Sequence, residues 1–335
     1  MTDILTRISL VAVAFAALVS CADTKDNSTD MEEMVLERWM QTNRPDIPKV
    51  DDGLYYKIYP AGTPAQKVEL QESKSWVYTT SLGKNLEGDY FFNMYPAIAR
   101  RLGTYKASTH FVPEITRYYS GNSDLTDGVY RALAHMNIGD SLELYCSSRY
   151  AFGTNGSSTP SVEGFAGNVT IPSSTPVYRA LRLDNISDDP AEISRREVIE
   201  YATQKLGKLA SDSLKDGLYL KITQSVSGGE NVKEDDDVDI YYVGRYIDGK
   251  VFDTNIKSVA QESGIYESTK SYSALNFNGS SFVDGFKEAI LNMKQGEKAT
   301  VVFSYRWGYG ISGSNSDGVY IRPFDSLVFD IEIEE

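Results

Sequence analysis

Catalysis by proton transfer, nucleophilic attack or metal needs reactive side chains grouped together, and this chain has few. Its two histidines, His110 and His135, stand apart from any Cys, Asp or Glu set at metal-ligand spacing, so neither has the setting of a catalyst or a ligand. Gly310 to Gly318 is rich in Ser and Asn but lacks the Lys that a phosphate-cradling loop uses, and no nucleophile elbow or dinucleotide fingerprint follows a strand. Hydrolase, transferase and redox readings therefore lack parts, and no cofactor or metal is expected. Cys146 shares the inward parity of Leu142 and Leu144, the place of a buried, inert thiol. A formal charge of -14 argues against a nucleic-acid partner, because phosphate binding needs clustered Lys and Arg, and equally against an acidic one.

What remains is a set of rings with a few polar groups at their edge. Val238 to Asp253 reads as strand, turn and strand around Asp248-Gly249. By the period of two, Tyr242 shares a face with Val238 and Ile240, which sets its hydroxyl at the edge of an apolar interior. Asp253 directly follows an inward Phe252, and Tyr309 sits in a glycine-rich loop; neither helps to build a core. Aromatics on the inward face of a β-rich domain are also what plain packing produces, and Phe329 with Ile331 and Ile333 fits that simpler account.

The order of these residues carries a resemblance. Tyr241-Tyr242-Val243-Gly244 followed by Asp248-Gly249-Lys250-Val251-Phe252-Asp253 resembles the signature of FKBP-type peptidyl-prolyl isomerases. Val283-Asp284-Gly285-Phe286-Lys287-Glu288-Ala289, Met293 to Glu297, Trp307-Gly308-Tyr309-Gly310, and Pro323 with Leu327 to Glu332 keep the family's order over roughly a hundred residues. The resemblance implies an α+β fold, an antiparallel sheet wrapped around a short helix. It also implies a slot for an X-Pro peptide. Tyr242, Phe252, Asp253, Val283, Phe286 and Tyr309 would form its working part, with Phe282, Ile321 and Phe329 completing the binding wall. By the same resemblance, the Val283 N-H and the Tyr309 hydroxyl would hydrogen-bond peptide carbonyls. Two departures stand out: Phe286 replaces the family's usual Trp, and Arg322-Pro323 replaces paired prolines.

Such a slot needs none of the missing parts. The barrier to prolyl rotation is loss of amide resonance, ~20 kcal/mol. The planar amide is more charge-separated than the twisted one, so a cavity that strips water from it favours the twisted form. The expected activity is thus peptidyl-prolyl isomerisation assisting exported proteins to fold, on X-Pro segments of unfolded or nascent chains. A non-catalytic peptide-binding or holdase protein of the same fold is the alternative. A glycan binder, suggested by 23 tyrosines and many polar loops, is disfavoured because most of those tyrosines occupy strand or motif positions.

The elements that must hold these residues occur twice. Asp52-Gly53-Leu54-Tyr55-Tyr56-Lys57-Ile58 recurs as Asp216-Gly217-Leu218-Tyr219-Leu220-Lys221-Ile222, and Arg149 to Gly153 recurs as Arg306 to Gly310. Pro172 and Tyr178 read as the counterparts of Pro323 and Phe329. Each copy carries an extra segment ending in Gly103 or Gly264, expected to be a short inserted helix. In the first copy, Ser81 stands for Tyr242, Phe92 for Asp253, Val129 for Phe286 and Phe152 for Tyr309. That site is expected to be inactive, surviving as a weak peptide groove or filled.

The expected organisation is a lipoprotein signal in 1–20, an acidic spacer in 21–30 after a lipidated Cys21, and a degenerate first copy with its own helix in 31–186. A linker helix in 187–215 and the isomerase copy in 216–335 follow. The apolar run Ile8 to Val19 is too short to span a bilayer at ~20 residues, and Leu18-Val19-Ser20-Cys21 resembles a bacterial lipobox. Attachment to a bacterial membrane, at the periplasmic side or the cell surface, would then be through lipid alone. Met31, Met34, Val35 and Trp39 give the first helix its apolar stripe from Asp30 onward, and Asp188-Asp189-Pro190 starts the linker helix.

Overall fold

The computed structural model describes residues 27–334 apart from 63–68, 123–124, 154, 158–169, 278–281 and 317–318. The proposed signal and Cys21 lie outside the described residues. The first copy runs through α1 (Asn27–Asn43), β1 (Lys49–Asp51), β2 (Leu54–Tyr59), β3 (Trp76–Asn85), β4 (Tyr90–Asn93) and α2 (Pro96–Leu102). It continues with β5 (Glu114–Arg117), α3 (Asp127–Leu133), β6 (Ser141–Cys146) and β7 (Val177–Ser187). After α4 (Pro190–Tyr201), the second copy has β8 (Leu218–Gln224), β9 (Asp239–Tyr246), β10 (Val251–Thr254), α5 (Lys257–Glu262) and β11 (Leu275–Asn276). It ends with α6 (Asp284–Ile290), β12 (Lys298–Phe303), β13 (Ser314–Ser316), β14 (Val319–Ile321) and β15 (Leu327–Ile333).

Two large antiparallel sheets result, with order β1-β2-β6-β7-β3-β4 in one and β10-β9-β15-β12-β8 in the other, beside a two-stranded β13-β14 ribbon; β5 and β11 each attach to the long strand of their sheet, β3 and β9. This is the α+β architecture expected, each sheet wrapping a short helix, α3 or α6. Each inserted segment holds a helix, α2 or α5, and Gly103 closes α2 in the left-handed conformation that lacks strain only without a side chain.

The first and fourth helices do the same job on the two sheets. α4 is capped by Asp189, whose carboxylate accepts from Glu192 N at 3.0 Å, and with the π-helical turn Ala202–Leu206 that continues it lays Val198, Ala202 and Leu206 against Tyr219, Val302 and Val328. α1 lays Leu36 and Met40 against Tyr55, Tyr145 and Tyr178. Both outer faces of the central strands are thereby covered. In β12 Val302 is buried along with Val301 and Phe303, so both faces of its C-terminal half are covered.

Two sequence expectations need correction. α1 begins at Asn27, inside the stretch expected to be spacer, and its buried side is Glu32, Leu36 and Met40; Met31, Met34 and Val35 are exposed. Glu32 can be buried because both carboxylate oxygens are used, accepting from Ser148 N at 2.5 Å and Ser148 Oγ at 2.6 Å. The repeat is also one residue out at the closing strand. Gly83 pairs with Arg179 where Gly244 pairs with Phe329, so Arg179, not Tyr178, is the counterpart of Phe329. Ile171 likewise takes the place of Ile321, bridging to Ser157 as Ile321 does to Ser314, so Pro172 stands at Arg322 rather than Pro323. In a strand a one-residue slip moves a side chain to the opposite face. Tyr178 therefore points out to α1, as Val328 points out to α4.

Candidate functional site

Four elements of the second copy bring the predicted residues together. β9 supplies Tyr242, and its neighbour β10 supplies Phe252 and Asp253 across a bulge. β15 supplies Phe329 opposite Gly244. A Cβ on Gly244 would lie 2.9 Å from the Phe252 ring and 2.8 Å from the Phe329 ring, so the missing side chain is what lets both rings lie on the strand. α6 brings in Phe286, and Val283 precedes the helix with its carbonyl accepting from Phe286 N at 3.0 Å.

The rings form one cluster with edge-to-face geometry. Phe286 and Phe329 have centroids 5.1 Å apart, Phe252 and Phe329 5.7 Å, and Tyr242 and Phe286 5.7 Å, all near perpendicular. Phe282 stacks on Phe286 at 4.7 Å. Phe286 and Phe329 are buried, and Val283 packs against the same cluster. At its Phe252 edge opens a cavity of about 380 Å³ lined by Phe252, Asp253, Tyr309 and Ile321, together with Ser108, Thr269 and Lys270; Tyr242, Phe282, Val283, Phe286 and Phe329 pack behind Phe252 and are not in its lining. All nine predicted residues of the second copy thus belong to one neighbourhood: five rings and an aliphatic in or against the buried cluster, and Asp253, Tyr309 and Ile321 at its open side.

The polar groups are tied to one another. Tyr242 Oη donates to Asp253 Oδ2 at 2.5 Å, and Lys270 pairs with the other carboxylate oxygen. Asn255 holds the strand beneath, accepting from Tyr242 N at 2.8 Å and donating to Ile240 O at 2.8 Å. Burial pushes the Tyr242 phenol well above its ordinary value, and the Asp253 charge adds to this; Tyr309 is raised by the same two causes in the same order. Both phenols stay protonated through the neutral range and are donors there. The site therefore offers hydroxyls and a fixed carboxylate beside an apolar ring cluster.

Sequence reasoning missed Lys270, Thr269 and Ser108. Nothing marks them within polar stretches, because they reach the cavity only through the path of the two inserted segments. In the first copy Phe92 lies so close that a Cβ on Gly83 would be 2.4 Å from its ring, and the Arg179 guanidinium covers that ring at 4.2 Å. Ring and guanidinium thus stand at the places of Asp253 and Phe329, pairing with Gly83 as those two pair with Gly244.

Residues 228–334 match the family model of FKBP-type peptidyl-prolyl cis-trans isomerases. Similar curated proteins include the short-type peptidyl-prolyl cis-trans isomerase of Methanocaldococcus jannaschii, 39% identical over 24% of this chain and 52% of its own length. A probable FKBP-type peptidyl-prolyl cis-trans isomerase of Haemophilus influenzae is 31% identical over 35% of this chain and 42% of its own. The FKBP-type 22 kDa peptidyl-prolyl cis-trans isomerase of Escherichia coli is 27% identical over 48% of this chain and 71% of its own. The match thus spans about half the length, or less, of the first two relatives.

Proposed function

We propose that the chain is a peptidyl-prolyl cis-trans isomerase whose activity resides in the second copy and whose substrates are X-Pro segments of unfolded chains. The observation that carries this is the perpendicular ring cluster of Phe252, Phe329 and Phe286, whose Phe252 member lines an open cavity together with Asp253 and Tyr309. A proline ring entering that cavity meets apolar surface, while its preceding carbonyl loses water. The flat, charge-separated imide is penalised more than the rotated one. Tyr309 would hold a neighbouring peptide carbonyl, and the Val283 N-H would hold another. The Tyr242 and Lys270 hydrogen bonds keep the Asp253 carboxylate in one place, so that its field at the rim is constant.

The same reading extends to the first 30 residues. The lipobox-like Leu18-Val19-Ser20-Cys21 supports attachment through Cys21 to a bacterial membrane, with exported proteins as the clients. The charge of -14 fits a chain that does not bind nucleic acid. The first copy acts as a spacer or client-binding unit.

The test is isomerisation of a chromogenic Ala-Leu-Pro-Phe tetrapeptide by the full chain. Turnover above the uncatalysed rate that falls to background in Phe252→Ala supports the proposal. Background rates for the unaltered chain, with retained binding of an unfolded proline-containing protein, would move the assignment to the holdase of the same fold.

A further inference from the structure

The cavity beside the ring cluster is lined by both copies. Ser108 comes from the segment after α2, and its counterpart in the second copy, Thr269, lines the same cavity. The two segments are built alike: Tyr105 stacks on Phe111 at 5.7 Å in one, and Tyr266 on Tyr272 at 5.3 Å in the other.

The first-copy segment is anchored to three parts of the second copy that surround the cavity. At the β9–β10 turn, the His110 imidazole stacks on Tyr246 at 3.8 Å and its Nε2 donates to Asp248 Oδ2 at 2.8 Å. Lys250 of the same turn donates to Ala107 O. Tyr246 in turn packs on Phe252 at 5.0 Å, one residue from Asp253. Along the strand that carries Ile321, Tyr320 Oη donates to Glu114 Oε2 at 2.8 Å, and Arg322 donates to Pro113 O at 2.6 Å. At the end of α5, Gly264 approaches so closely that a Cβ there would be 3.0 Å from Ala107. Tyr246 Oη donates to Tyr320 O at 2.7 Å, which joins the first two anchors beneath the segment.

We propose that the Ala107–Glu114 segment of the first copy is a wall of the second copy's prolyl site, with Ser108 contacting the bound peptide and His110 positioning the Phe252 and Ile321 sides. The inference rests on the isomerase reading and deepens it: a copy without the Tyr242, Asp253 and Tyr309 groups contributes to the working slot next door. This also accounts for Arg322 at the place of the family's proline. The guanidinium reaches the neighbouring copy's backbone while its other nitrogens are held by Asp325 at 2.6 Å and 3.0 Å. A wall acts on peptide binding more than on the rotation itself, because the apolar floor that favours the rotated imide is untouched by it.

The full chain carrying Ser108→Trp, which fills the mouth from the first-copy side, is expected to raise KM for the Ala-Leu-Pro-Phe tetrapeptide roughly tenfold, with kcat changed by less than about twofold. His110→Ala should raise KM about threefold or more, and His110→Gln, which keeps a donor towards Asp248, should recover most of that loss. KM within about 1.5-fold of the unaltered chain in both Ser108→Trp and His110→Ala, in a preparation that turns over, would overturn the wall and leave the isomerase reading standing. A parallel loss of kcat in His110→Ala, unrescued by Gln, would also overturn it, since that marks general damage to the fold. Absence of turnover and of tetrapeptide binding in the unaltered chain would overturn both.

Discussion

At the scale of residues, the site depends on where hydroxyls and one carboxylate sit relative to rings. Asp253 would be costly beside an apolar cluster without its three partners, since a charge at the edge of low-dielectric surroundings needs hydrogen bonds. Tyr242, Lys270 and the Thr254 N-H provide them. Tyr309 has a different standing. It is 37% exposed and among the described residues its hydroxyl has no hydrogen-bond partner, which leaves it available to a peptide carbonyl. Tyr309→Phe removes that donor and nothing the fold uses. Its expected effect is a fall in kcat/KM of about five- to tenfold, the worth of one hydrogen bond of ~1 kcal/mol, with the thermal midpoint unchanged. An equal loss of stability would show that the hydroxyl has a partner within the fold.

Elements explain how one sequence pattern could be read correctly in one copy and shifted in the other. The DGLYxKI strands, β2 and β8, lie at equivalent places, and the helix before each strand covers the outer side of its sheet. The α1 stripe could not be read from spacing alone. Met31, Met34 and Val35 recur at helical intervals as well as Leu36 and Met40 do, and which set is buried depends on where Tyr55 and Tyr145 wait on the sheet. Leu36→Ala removes a side chain that is 0% exposed and is expected to cost about 2 to 5 kcal/mol of stability. Met34→Ala, at 72% exposure, should cost less than about 0.5 kcal/mol. Denaturant titration of the two variants decides it, and similar midpoints would contradict the burial described.

The whole molecule adds what neither copy has, a seam. Besides the anchors at His110, Glu114 and Arg322, the Trp76 ring meets Phe324 edge-on at 4.9 Å. The His110 hydrogen bond, opposed by partial burial, holds the Asp248 carboxyl down at about 2. A carboxylate with a depressed folded-state value stabilises above its unfolded value and loses that contribution as pH falls through the folded one. The seam is therefore expected to weaken between about pH 4 and about pH 2. In an acid titration followed by tryptophan fluorescence, Asp248→Asn should remove this component and flatten the transition in that window. Superimposable curves for the two proteins would mean that the pair does not contribute.

The chain alone determined the repeated unit, the α+β class and the ring-and-hydroxyl site of the second copy. Those follow from local rules: period-two alternation around Asp248-Gly249, motif order from Tyr242 to Phe329, and the absence of any grouped nucleophile or metal set. Only the tertiary structure decided that Arg179 rather than Tyr178 faces the first slot, because a strand's register is set by its partners and a slip of one residue is invisible in composition. It likewise decided that Ser108 lines a cavity of the second copy and that His110 meets Tyr246 and Asp248, more than a hundred residues away. Their neighbours in sequence are polar loop residues that carry no periodic signal, and only the packing of one copy on the other gives them anything to touch.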